Sequence, residues 1–162
     1  MPEDGKRGDP ARLQEVCAAF GLGALLGNER LGAGHIHATY ALRVRGEGAG
    51  PRELVAQRLN EIVFPDLAPV MHNLERVAAH PGCRDWVAPL LHTPDGQSLV
   101  RDADGAAWRI FERIRGAVSY DSVDDDLARE AGRAFAAFSF GLADLPAPPL
   151  AEPLPGFHDT EA

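Results

Sequence analysis

Two glycines, Gly32 and Gly34, separate stretches that favour β-strands, and this arrangement constrains the fold more than any other feature. The residues after the glycines include Thr39, Tyr40 and Val44, whose β-branched or aromatic side chains favour a strand. A P-loop requires G-x-x-x-x-G-K-[ST], and a Rossmann site requires a helix directly after its glycines. Neither pattern is present. The glycines therefore form either an ordinary hairpin turn or a loop whose backbone amides approach a phosphate closely.

Helical signals occur on both sides of these strands. Asp9 and Pro10 are typical of a helix start, and the helix that they begin is expected to end at Gly21. Asp66 caps a second helix with apolar residues at helical spacing, and a third covers Val123 to Leu142. We therefore expect an α+β fold, with helices flanking a curved antiparallel sheet of about five strands.

Strand signals occupy the intervals between the helices. The stretch from Glu53 to Leu59 alternates between two faces, with Leu54, Ala56 and Arg58 on one of them. Two turn signals, Pro94-Asp95-Gly96 and Asp104-Gly105, divide the next interval into three short apolar runs. That interval is predicted to be an antiparallel meander, and the proline-rich stretch after residue 143 is predicted to be irregular.

Composition excludes several classes of function. The chain has 162 residues, 45% of them hydrophobic, and a net charge of −8, which argues against an extended nucleic-acid surface. The start of the chain is charged and has no apolar signal sequence, and no apolar run is long enough to span a membrane. Cys17 and Cys83 have no metal-binding spacing, which fits a reducing compartment. We expect a cytoplasmic protein that binds neither nucleic acid nor membrane.

Metal-binding patterns are weak. His35 and His37 share a strand face, but no third ligand accompanies them at a useful spacing. The acidic run from Asp124 to Asp126 is better explained by the positive end of the helix that follows it. No arrangement of Cys/His or Ser/His/Asp residues indicates a nucleophile, so no metal site and no catalytic residue is predicted.

Four stretches read "RLGAGHIHATYALRV", "LVAQRLNEIVFPDLAPVMHNLERV", "RDADGAAWRIFERIRGAVSYD" and "EAGRAFAAF". Together they resemble the phosphotransferase family of aminoglycoside and choline kinases, above all its N-acetylhexosamine 1-kinase branch. The most specific pieces are Q-R-x-N-x-x-V-F (Gln57 to Phe64) and V-S-Y-D (Val118 to Asp121). Members of that branch use ATP to phosphorylate the anomeric hydroxyl of an N-acetylated sugar. The resemblance implies the amino-terminal lobe of a kinase-like fold, which binds ATP beside a small-molecule sugar acceptor.

The resemblance also implies roles for individual residues. Gly32 and Gly34, with His35 beside them, would cover the nucleotide phosphates. The V-A-Q-R stretch overlays the V-A-I-K pattern of kinases, which places Ala56 and Arg58 at the nucleotide, with Arg58 gripping the phosphates. An arginine replaces the usual lysine and brings bidentate geometry. His37 stands where the family more often has asparagine.

Further roles fall on the second helix and on the segment after the meander. Glu75 is the expected ion-pair partner of Arg58, with Glu61 as the weaker alternative. The stretch from Phe111 to Arg115, which includes Glu112 and Ile114, would be the hinge strand whose backbone binds the adenine edge. Without the resemblance, a solvated surface position is the better explanation of both Arg58 and Glu75.

The kinase pattern is incomplete in this sequence. Phosphoryl transfer needs an aspartate that orients the acceptor hydroxyl and Asp or Asn ligands for Mg²⁺, which in kinases follow the hinge. No asparagine occurs after Asn73, and the last histidine is His158. We expect a nucleotide-binding lobe at 1–115, a connector at 116–121 and the first part of a second lobe at 122–162. This chain alone would be inactive, with Mg²⁺ bound only in a full-length relative.

Two further expectations follow. The alternative to a kinase fragment is a non-catalytic nucleotide-binding or protein-interaction module. The last helix carries an apolar stripe that a second lobe would cover in a complete kinase, so in this chain it is expected to self-associate or fold back on the lobe. The stripe consists of Val123, Leu127, Ala131, Ala134, Phe135, Phe138 and Leu142.

Overall fold

The computed structural model describes residues 8–32, 36–46, 48, 50–118, 120 and 122–157. The helices are α1 (Pro10–Ala19), α2 (Leu67–Ala79) and α3 (Asp125–Gly141), and a short 3-10 helix covers Pro81–Cys83. The strands are β1 (Leu25–Arg30), β2 (Ala38–Arg45), β3 (Pro51–Arg58), β4 (Val100–Arg101) and β5 (Ala107–Glu112). The expected α+β class is confirmed.

The five strands form one open antiparallel sheet in the order β1-β2-β3-β5-β4. The glycine turn joins β1 to β2, and the Leu31 N–H donates to the Thr39 carbonyl (2.8 Å) at its base. Gly32 has φ +62°, a conformation that a side chain would strain. Gly34 and His35 lie outside the described residues.

The predicted meander is much less regular than expected. Only two residues of its middle run form β4, and its first run contributes a single bridge between Leu90 and Phe111. Prolines at 89 and 94 have no N–H to donate to a ladder, which explains why these runs remain short. The turn glycines Gly96 and Gly105 have positive φ, as their turn signals predicted.

Helix α1 covers one face of the sheet. Its start is capped as predicted, since the Asp9 carboxylate accepts from the Ala11 N–H (3.0 Å) and Pro10 is the first helical residue. The apolar side of α1 packs on the sheet to form the larger core. That core consists of Leu13, Val16, Cys17, Phe20, Leu42, Val44, Leu54, Ala56, Trp108 and Ile110.

Helix α2 lies on the other face, near the end of β3. It begins at the predicted cap, where the Asp66 carboxylate accepts from the Ala68 N–H (3.0 Å). A smaller core joins Leu67 and Met71 of α2 to Leu59 and Ala107 of the sheet. Because strand residues alternate between faces, Leu59 and Ala107 share a face with Gln57 and Arg109. The sheet between α2 and the hairpin of β1 and β2 is left open on this side.

Helix α3 and the segment after it attach beside α2. Asp124 is the N-cap of α3, its carboxylate accepting from the Leu127 N–H (2.7 Å). Gly141 packs so closely on Gly82 that a Cβ on either would overlap a backbone oxygen of the other. Further along, the Asn73 side chain pairs with both backbone polar groups of Ala151 (2.8 and 2.9 Å).

No helix within the described ranges is long and apolar enough to cross a membrane.

Candidate functional site

A cleft of about 490 Å³ opens on the sheet face that α2 leaves uncovered. Its floor consists of Val55 and Gln57 from β3 and Phe111 from β5. Val55 lies directly opposite Phe111 in the ladder, so these side chains are neighbours on one face. The glycine turn bounds one side and the segment after β5 bounds the other. The remaining lining residues are Leu31, Gly32, Ala88, Glu112, Arg113, Ile114, Ala117 and Val118.

Strand alternation corrects the expected position of Ala56. Leu54 and Ala56 are fully buried beneath α1, on the face opposite the cleft. Val55 and Gln57 therefore point into the cleft, one residue out of register with the V-A-I-K overlay. The place at the nucleotide expected for Ala56 does not fit this geometry, because the body of the sheet lies between its side chain and the cleft.

Arg58 is also misplaced by the overlay. It is exposed on the α1 side, where it lines a separate polar pocket of about 600 Å³ with Ile36 and Asp104. Nothing in the described ranges forms an ion pair with Arg58. The expected role of Arg58 in the cleft is therefore not supported by the register of β3.

The expected acidic partners have other contacts. The Glu75 carboxylate on α2 accepts from the Ser98 hydroxyl, not from Arg58. Glu61 forms a bidentate ion pair with Arg101 (2.8 and 3.0 Å). Both carboxylates stabilise loop segments around the meander, so the predicted Arg58–Glu75 pair is corrected.

Arg109, which sequence reasoning missed, lies on the same face of the sheet as the cleft floor and contacts two floor residues, although it is not itself part of the cleft lining. Its Nε donates to the Gln57 Oε1 (3.0 Å), and its guanidinium carbon lies 5.2 Å from the centre of the Phe111 ring. Its Nη1 contacts the Met71 sulfur of α2 (3.8 Å). Arg109 therefore lies where the cleft floor meets α2.

Gln57 connects Arg109 to the hairpin that carries the glycine turn. Its side-chain amide donates to the Thr39 hydroxyl (3.2 Å), which directs its carbonyl oxygen toward Arg109. Thr39, Gln57 and Arg109 thus form a polar row across β2, β3 and β5. The row is visible only once the strand register is known.

His37 directly precedes β2, the second strand of this hairpin. Its Nδ1 accepts from the Asn60 N–H (3.2 Å), and its ring packs against Phe64 at a centroid distance of 5.6 Å. Burial lowers the pKa of His37, and the positive charge of Arg109 lowers it further. Both effects favour the neutral imidazole.

The segment predicted as a hinge does border the cleft. Phe111 and Ile114 line it, and Ile114 is 61% exposed. Backbone hydrogen bonds hold the strand end, since the Glu112 N–H donates to the Pro89 carbonyl (2.9 Å). Within residues 50–118 and the other described segments, the backbone of Ile114 makes no hydrogen bond, so its N–H and C=O are free to bind a ligand.

Glu112 contributes to this border through its backbone alone. It lies opposite Leu54 in the ladder, which directs its side chain to the α1 face. There its carboxylate forms an ion pair with Arg52 (2.5 Å). The predicted involvement of Glu112 is thus limited to its main chain.

Among the residues that the structure describes, no three His, Cys, Asp or Glu side chains lie close enough to hold a metal ion. The pair of His35 and His37 cannot be compared, because His35 lies outside the described residues. A search with protein-family models finds no match to this chain.

Proposed function

We propose that this chain is the ATP-binding lobe of a small-molecule phosphotransferase, and that the acceptor is a sugar of the N-acetylhexosamine class. The observation that carries the proposal is the cleft between the glycine turn and the segment after β5. The sugar class follows from the sequence resemblance alone.

The cleft has the chemistry that a purine base requires. Val55, Phe111, Leu31 and Ala88 supply apolar walls on which a flat ring can pack. The free backbone N–H and C=O of Ile114 supply a donor and an acceptor for the edge of the base. A base held there extends its phosphates along the floor toward Gly32, where the absence of a Cβ allows close approach.

Transfer of the phosphoryl group requires more than this cleft contains. Glu112 is the single acid of its lining, and its carboxylate points to the other face of the sheet. The described residues of the cleft supply neither a group to orient the acceptor nor ligands for Mg²⁺. We therefore propose that the lobe binds ATP without turnover when purified alone.

Blocking the apolar part of the cleft, where the purine would bind, tests the proposal. Val55→Trp fills the apolar slot with an indole ring, and we expect it to weaken ATP and adenosine binding by at least about tenfold. Calorimetric titration measures both affinities, and circular dichroism confirms that the variant is folded. Ile62→Trp is the matched control, because Ile62 is exposed and lies outside the cleft lining.

Two results would contradict the proposal. One is a wild-type chain that binds neither ATP nor adenosine. The other is a Val55→Trp variant that binds ATP as tightly as the wild type does. In either case the exposed apolar surface of α3 would favour the alternative, a protein-interaction module.

A further inference from the structure

The charge of Arg109 is not balanced within the described part of the chain. Its contacts there are the neutral Gln57 amide, the Met71 sulfur and the Phe111 ring, and no carboxylate lies within ion-pair distance. Burial lowers the pKa of Arg109 to about 10, so the group is partly desolvated and still charged at neutral pH. A desolvated cation without a counter-ion is unfavourable, and an anionic ligand would relieve that cost.

One end of the guanidinium remains open to a ligand. Nε and Nη1 have the contacts described above, whereas Nη2 has none among the described residues. Every fully buried side-chain nitrogen or oxygen in those ranges has a hydrogen-bond partner, so Nη2 reaches solvent. Two of the three residues that hold Arg109, Gln57 and Phe111, are floor residues of the cleft.

The surroundings keep Arg109 oriented and disfavour a second cation. Gln57 is itself held by Thr39, and the Phe111 ring packs against the guanidinium. His37 is kept neutral in part by Arg109, so its imidazole adds no second positive charge. The cation of the cleft lining itself, Arg113, lies 3.8 Å from the Glu53 carboxylate. A guanidinium fixed in this way presents the N–H donors of Nη2, and charge-assisted donors of this kind suit phosphate oxygens.

We propose that Arg109, oriented by Gln57, is the phosphate-binding residue of this lobe and holds the polyphosphate of the nucleotide beside the cleft floor, next to Gln57 and Phe111. The identity of the ligand as a nucleotide rests on the proposed function. The polyphosphate site itself rests on Arg109 and its contacts. In this proposal, Arg109 has the phosphate-binding role that the sequence pattern assigned to Arg58.

The experiment compares three ligands: ATP, adenosine and inorganic tripolyphosphate. Arg109→Gln is expected to weaken ATP and tripolyphosphate binding by about tenfold or more and to leave adenosine binding within about twofold. Arg109→Lys keeps the charge without the planar fork and is expected to lose part of that affinity. Arg58→Gln makes the same change in net charge on the opposite face and should bind all three ligands like the wild type.

Gln57→Glu separates ligand binding from a structural role of Arg109. The new carboxylate lies next to the guanidinium and neutralises it while every apolar contact remains. We expect this variant to melt at the same or a higher temperature than the wild type and still to bind tripolyphosphate about tenfold more weakly. If Arg109 served only to stabilise the fold, Gln57→Glu would weaken tripolyphosphate binding equally in the wild type and in Arg109→Gln, because only repulsion by the added carboxylate would then act.

The outcomes distinguish this inference from the proposed function. Arg109-dependent binding of tripolyphosphate without any binding of adenosine would support the anion site and contradict the nucleotide. Adenosine binding that Val55→Trp abolishes, together with ATP no tighter than adenosine, would support the nucleotide and overturn the role of Arg109. Loss of ATP affinity in Arg58→Gln but not in Arg109→Gln would also overturn it.

Discussion

Asp102→Ala is expected to lower the free energy of unfolding by about 3–5 kcal/mol, the range for removing one partner of a buried charged network. The Asp102 side chain is 1% exposed and accepts from Trp108 Nε1 (2.8 Å). Its other oxygen accepts from the N–H groups of Asp104 (3.0 Å) and Ala106 (2.9 Å). Alanine would leave these donors without an acceptor, and each such loss costs about 1–3 kcal/mol.

Denaturant unfolding monitored by tryptophan fluorescence measures this effect. Asp104→Ala is the control, because Asp104 also pairs with Arg12 but is exposed, and surface pairs contribute about 0–1 kcal/mol. Trp108→Phe removes the indole donor, so adding Asp102→Ala to it should cost less than Asp102→Ala does in the wild type. An Asp102→Ala variant no less stable than Asp104→Ala would refute this account.

The same network predicts a loss of stability in acid. Burial alone would raise the pKa of Asp102, but the hydrogen bonds from Trp108 and Ala106, with Arg12 nearby, outweigh it and hold the pKa below its ordinary value. The stabilisation is present above the unfolded pKa of about 3.9 and disappears as pH falls through the lower folded pKa. As the pH falls below about 4, the free energy of unfolding should therefore decrease less in Asp102→Ala than in the wild type.

A second large effect is expected from Phe135→Glu, which should abolish self-association of the chain. Helix α3 has no buried residue, and Phe135 and Phe140 are 73% and 82% exposed. Phe135 lies in an apolar groove of about 460 Å³ with Trp86, Ala131, Ala134 and Phe138. The expected partner is a second copy of α3, whose exposed apolar side chains would pack into the same groove, while Asp126 and Arg133 stay paired with Arg129 and Glu130 of their own helix.

Sedimentation analysis over a concentration series measures this equilibrium. A buried phenylalanine contributes about 1.5–3 kcal/mol, and each copy contributes one Phe135, so the dissociation constant should rise at least about hundredfold. Ile62→Glu is the control, since Ile62 is equally apolar and 92% exposed but lies outside α3. A wild-type chain that stays monomeric at every concentration would show that α3 has no second copy as its partner.

Local sequence rules were sufficient for most elements of the fold. The caps at Asp9 and Asp66 placed the starts of α1 and α2, because a capping carboxylate acts within two or three residues. Local rules were less accurate for α3, which begins at Asp125 after the cap Asp124, whereas the predicted start was Val123. The meander was over-predicted, since turn signals mark where the chain reverses and not how many residues pair on either side.

The site was predicted less well, and the reason lies in β3. Alternation alone separated Ala56 and Arg58 from Val55 and Gln57, but the sequence did not show which set α1 would cover. A motif overlay then selected the covered set. The contact between Gln57 and Arg109 joins residues 52 positions apart, so it depends on the pairing of β3 with β5 and has no local signal.

The shallow attachment of α3 has a consequence for amide hydrogen exchange. The amides of β2 and β3 lie in the middle of the sheet over a buried core, so they exchange only when the whole domain unfolds. Helix α3 has no buried residue, and opening it breaks its own hydrogen bonds and its contacts with Gly82, Cys83 and Trp86. Protection in α3 should therefore be low in dilute protein and rise with concentration, while protection in β2 and β3 stays constant.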